Sequence, residues 1–205
     1  MTALSPWVEA LGPRFERLHP RLRAYFGTIP AGSIGYGRGT FARVGSPRRW
    51  LRPILVLLAA EGILYPVWAA NVAFRIRNEP GPSRVEARRR FDFAAAPWTM
   101  RDVVSIERGM LVDRLGRHGI LSVTLQAEVD GGRLVLRSTA VRVFGVLLPR
   151  PIAPVLLLTE TWDDGLSAQR VSFRLDSPLW GRLYEYEGTF RYRVVRPRAT
   201  GGVGG

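Results

Sequence analysis

The sequence predicts an α+β fold: an antiparallel β-barrel, or a strongly curved half-barrel, of about eight or nine strands with N-terminal helices. Three observations predict it. From Val67 onward apolar and polar residues alternate, the period of a strand with one buried face. Short clusters such as Asp130-Gly131-Gly132 and Asp163-Asp164-Gly165 separate these segments, as in antiparallel hairpins. Apolar residues at helical spacing are confined to the N-terminal part, so helices do not alternate with strands.

Each element has a local reason. Ser5-Pro6 is an N-cap followed by proline at the first helical position, and Gly12-Pro13 breaks that helix. Phe15, Leu18, Leu22, Tyr25 and Phe26 recur at spacings of three and four, marking one buried face. His19-Pro20 starts a new turn within it. The run GTIPAGSIGYGRGTF does not match a dinucleotide fingerprint; it reads as a glycine-rich turn or an edge strand pressed close to another backbone. Ser46-Pro47 opens a helix over RRWLRPILVLLAAEG, with Gly62 as its stop. Residues 53–74 are the longest apolar stretch. Glu61, Gly62, Pro66 and Asn71 interrupt it, so it reads as a buried helix, a turn and a strand and not as a membrane span.

Strands are expected at 68–78, 84–95, 99–108, 119–130, 132–145, 154–162, 168–176 and 181–195. Residues 1–198 read as one domain and 199–205, ATGGVGG, as a disordered tail.

Composition bounds the function. The chain has 205 residues, 46% of them apolar, and a net charge of +13. All 30 basic residues are arginine. A polyanion binder usually mixes in lysine, so the basicity argues more for compositional bias than for nucleic acid. Nine arginines face two acids up to Arg52, however, and such a basic N-terminal region could rest on an anionic membrane surface. Cysteine is absent, which excludes disulfides and thiolate chemistry. With His19 and His118 as the only histidines, no metal site is expected, and no cofactor is called for. No signal peptide is read, so the expected location is cytoplasmic, or peripheral at the inner membrane face.

Strand parity selects candidate site residues. On each strand the more apolar parity is taken as interior. The polar residues sharing it are Arg89, Ser138, Arg142 and Glu160, with the hydroxyls of Tyr184 and Tyr186. Two arginines and one glutamate leave about one positive charge, suited to a ligand carboxylate or phosphate in an apolar cavity. Glu160 is the first expected partner of Arg89. Asp102, on the parity of Met100 and Val104, could balance the charge instead. No nucleophile motif is present.

The ordered set Leu18-His19-Pro20, Gly37, Gly39, Arg89-x-Phe91, Gly145 to Pro154, Glu160, Val171-x-Phe173, Pro178 and Gly181-Arg182-x-Tyr184-x-Tyr186-x-Gly188 resembles domain-of-unknown-function family 4166. The family is bacterial and occurs alone or fused to reductase-like domains. The resemblance implies no established activity; it implies a reductase-like partner on another chain.

Three readings follow. The leading one is non-catalytic binding of a hydrophobic, anionic small molecule or lipid, with Arg89 and Arg142 at its polar end, oriented by Glu160. The second is an isomerase, cyclase or hydratase-like enzyme using Glu160 as acid or base. The third is binding of a membrane or nucleic acid through surface arginines.

Overall fold

In the computed structural model, which describes residues 4–197, two short helices precede the first of eleven antiparallel strands, and a third helix lies between the first strand and the second. The helices are α1 (Pro6–Leu11), α2 (Pro20–Phe26) and α3 (Arg52–Ala60). The strands are β1 (Ile34–Gly45), β2 (Trp68–Gly81), β3 (Arg84–Asp92), β4 (Pro97–Glu107), β5 (Met110–Leu115), β6 (Leu121–Asp130), β7 (Arg133–Val143), β8 (Val146–Leu147), β9 (Val155–Asp163), β10 (Ala168–Ser177) and β11 (Gly181–Val195). The expected tail at 199–205 lies outside the described residues.

Ten strands close into a barrel, and β8 lies outside it as a hairpin on β7. Closure comes from β1–β11 pairing on one side and from β6–β7 and β7–β9 pairing on the other. The barrel is therefore larger than the eight or nine strands expected. The difference is two strands that the sequence pattern hides.

The first is β1, the glycine run. It is pressed against another backbone as expected, but it pairs on both sides and has no free edge. Gly39 lies opposite Phe190, and Gly188 lies opposite Phe41. A Cβ on either glycine would press into a carbonyl of the opposite strand, so glycine lets these two backbones meet. The second is β5, joined to β4 by the two-residue turn Arg108-Gly109. Both residues have positive φ, 51° and 76°, as a type I′ turn requires. Arginine at the first position masks that turn, because asparagine or aspartate usually stands there.

The barrel is covered at both ends. At one end lie α1, a 3-10 turn over Gly12–Arg17, and α2. Ser5 Oγ accepts from the Trp7 N–H and donates to the Phe26 carbonyl, tying the start of α1 to the end of α2. The His19 N–H donates to the Gly132 carbonyl in the β6–β7 turn, which fixes this cover to the strand ends. At the other end α3 and residues 61–67 cross the mouth. Trp98 Nε1 donates to the Ala59 carbonyl and the Arg101 N–H to that of Gly62.

Aromatic side chains fill the space between the covers. Phe41 stacks on Phe74 at 3.9 Å and Phe173 on Tyr186 at 4.6 Å. Each such buried ring contributes roughly 2–3 kcal/mol. On the outside, arginines form cross-strand rows. Arg191, Arg38, Arg75 and Arg90 occupy one row over four adjacent strands, and Arg77, Arg88 and Arg101 another.

Candidate lumenal site

Strand pairing places Arg89 between Ile76 and Met100, both buried, so it points into the lumen as parity predicts. Its partner is Asp102 and not Glu160. Arg89 Nη1 donates to Asp102 Oδ1; the Asp102 side chain is 1% exposed, and that of Arg89 20%. The reason is proximity in the sheet. Asp102 is on β4, the direct neighbour of β3, whereas Glu160 is on β9 across the lumen. Glu160 accepts from Gln169 Nε2 on β10 instead.

A third carboxyl joins them. Asp113 lies on β5 with Leu111 and Leu115 on its parity. Its Oδ1 is buried and has no hydrogen-bond partner among the described residues. Sequence reading misses Asp113 because it misses β5. It also passes over Gln169, which shares the interior parity of Val171 and Phe173.

The electrostatics follow from burial. Burial alone would lower the Arg89 pKa; the Asp102 charge reverses this and holds the guanidinium ionised. Burial pushes the Asp102 carboxyl up, and Arg89 opposes it. Asp113 is pushed well above the usual carboxylate range, first by burial and then by the Asp102 charge. Asp102 is held directly by the Arg89 guanidinium, whereas Asp113 has no such partner, so burial and the Asp102 charge favour its protonated form. Glu160 is pushed up to about 7 by burial, against the pull of its Gln169 bond and of Arg89. Burial likewise raises the Tyr25 and Tyr186 hydroxyls.

A cavity of about 20 Å³ lies among Arg89, Glu160, Tyr25, Tyr186 and the rings of Phe41, Phe74 and Phe190. It has room for about one water. Beyond Gln169 a larger space opens. A cleft of about 270 Å³ lies between α2 and β9–β11, lined by Arg21, Ala24, Trp162, Ser167, Gln169, Arg191 and Tyr192. Gln169 thus stands between the cleft and Glu160.

The six residues chosen by parity do not form one cluster. Arg89, Glu160 and Tyr186 line the cavity together. Ser138 Oγ accepts from the Leu156 N–H at 2.8 Å and anchors β9. Tyr184 donates to the Tyr65 carbonyl at 3.2 Å beneath α3. Arg142 does not point inward. A bulge at Thr139 shifts the β6–β7 register, so Val141 takes the inner face opposite Val123. Arg142 falls on the other face, where Nη1 donates to Thr124 Oγ1 at 3.3 Å. The expected surplus of positive charge is absent: one lumenal arginine meets three carboxyls. Among the described residues no group of three His, Asp or Glu side chains is placed to hold a metal.

Fold and site together define a closed antiparallel barrel with covered ends, a charged pair in its lumen and a cleft leading toward it. The family model for a domain of unknown function, DUF4166, matches residues 18–190, and the chain belongs to that family. No curated protein matches it.

Proposed function

We propose that the cleft under α2 binds a small hydrophobic molecule with an anionic group, with the Gln169–Glu160 pair as its floor. One observation carries this reading. The cleft ends on a buried polar pair that continues into the lumen, so a ligand there meets an apolar wall and a hydrogen-bonding floor. Trp162 forms the wall, with His19 stacked on it at 5.9 Å and the Arg21 guanidinium over it at 5.8 Å. Arg21 has no carboxylate partner among the described residues and stands at the mouth with Arg191. These two arginines take the role expected of Arg89 and Arg142, since Arg89 is held by Asp102. The lumenal cavity itself is too small for a ligand, so only a polar tip would reach past Gln169.

Native mass spectrometry of gently purified protein should show a bound mass that Trp162→Ala loses. Anilinonaphthalene sulfonate, an apolar anion, should bind the wild type and lose about tenfold in affinity in that variant. No bound mass, and dye affinity unchanged by Trp162→Ala, would overturn the reading.

A second reading rests on Glu160. A carboxyl that ionises near 7 is suited to proton transfer at neutral pH. If the protein is an enzyme, Glu160→Gln abolishes turnover and leaves dye affinity intact. A turnover that survives the substitution excludes this role.

A further inference from the structure

The α3 end carries a surface that neither the lumen nor the cleft uses. Helix α3 is apolar on both faces. Leu55 packs into the core, while Ile54, Val56 and Leu57 face outward, and Leu57 is 70% exposed. A helix apolar all round is normally buried. Trp50 and Trp180 pack edge to face beside it with centroids 5.6 Å apart, and both are about half exposed. The β8 hairpin projects Phe144 (76% exposed), Val146 and Leu147 from the same end of the barrel. An exposed apolar rim of this extent marks an interaction site.

Its charge selects the partner. Arg48, Arg49 and Arg52 line a groove of about 260 Å³ whose wall includes Trp68. None of the three has an ion pair among the described residues; Arg48 donates to the Trp180 and Arg182 carbonyls, which holds it at the groove beside Arg49 and Arg52. The acids nearby are engaged: Glu61 with His118, Asp176 with Arg182, and Glu185 with Arg43 and Arg182. Nucleic acid would match these arginines but leave Ile54, Leu57 and Phe144 in water. A two-fold contact with a second copy would bring the arginine groups toward one another. An anionic bilayer satisfies both features, and tryptophan suits its interfacial layer.

We infer that the α3 end docks on an anionic membrane surface, with lipid phosphates in the Arg48–Arg49–Arg52 groove and Trp50, Trp180 and the outer face of α3 in the interfacial layer. No helix among the described residues is long and apolar enough to cross a membrane, so the helix lies on the surface. This docking does not depend on what the cleft binds.

The test is co-sedimentation of the full chain with vesicles of phosphatidylcholine alone and of phosphatidylcholine mixed with phosphatidylglycerol. Binding is expected to the mixed vesicles and to fall as salt rises. Replacing Arg49 and Arg52 by Gln together should weaken it roughly thirtyfold. Ile54→Asp with Leu57→Asp should weaken it about tenfold or more. Brominated lipid should quench tryptophan fluorescence, and the Trp50→Phe, Trp180→Phe double variant should lose most of that quenching. All these residues are exposed, so circular dichroism should stay unchanged. Binding that survives the α3 variants but is lost with Arg77→Gln and Arg88→Gln would place the contact on the outer arginine rows and overturn the proposal. So would absence of vesicle binding, or a dimer in sedimentation velocity that the α3 variants dissociate.

Discussion

The two covers of the barrel solve one problem in the same way and differ on the side that folding leaves free. Each buries an apolar strip over the strand ends: Leu11, Phe15, Leu22 and Phe26 at the α1–α2 end, Leu55, Ile63 and Leu64 at the α3 end. Each ties its backbone to the barrel by hydrogen bonds. Outside, the α1–α2 cover is polar, with Arg14, Arg17 and Arg21 in water. The α3 cover instead presents Ile54, Val56 and Leu57. Closing the barrel explains the inner face of both covers and the outer face of neither. An apolar outer face adds no folding energy, so its cause lies in what the surface meets.

The largest expected effect tests the interior that the covers enclose. Arg89→Ala leaves Asp102 buried and unpaired, and should cost about 3–5 kcal/mol in chemical denaturation. Arg89→Met combined with Asp102→Leu should recover most of that loss. Next comes the α1–α2 cover. Tyr25 is buried against Phe190 and Tyr192, with centroids 5.4 and 4.6 Å away. Tyr25→Ala should cost about 3 kcal/mol through the cavity it leaves, and dye binding should rise as the lumen opens.

A comparable effect depends on pH. Glu160 ionises near 7 in the folded chain and near 4.5 when unfolded. Between these values the folded state holds a proton that the unfolded state has lost. Its contribution is therefore whole below pH 4.5 and declines as pH rises to 7, by roughly 3 kcal/mol. Glu160→Gln should be the more stable protein above pH 7, and the difference between the two should vanish below pH 4.5. A difference that is constant with pH would show that Glu160 titrates at the same pH folded and unfolded.

The smallest effect is the sharpest test of the contrast between ends. Leu57→Ala should change stability by less than about 0.5 kcal/mol, because most of the side chain stands in water. A loss near that of Tyr25→Ala would mean that Leu57 belongs to a packed interface, and the two covers would then be alike.

Parity made the inward turn of Arg89 legible, since Phe91 and Phe93 share its face and Arg88 and Arg90 do not. It made Glu160 legible for the same reason. It failed at Arg142, where one bulged residue exchanges the faces of everything beyond it. Asp113 stayed hidden because a six-residue strand behind an Arg-Gly turn carries too little pattern to be seen alone. The glycine run was read as close backbone contact, which holds, but its place at the closing seam depends on Phe190 and Phe41 more than 140 residues apart.

The sequence by itself determined the antiparallel class, the helical segments at the front, the inward set on most strands and the family. Period and turn chemistry are local, and local order survives in a string of letters. Only the tertiary structure decided that ten strands close, that Arg89 meets Asp102 before Glu160, that Gln169 separates a cleft from the lumen, and that the outer face of α3 is left uncovered. Those depend on which strands become neighbours and on what each cover leaves facing water, and no local pattern encodes either.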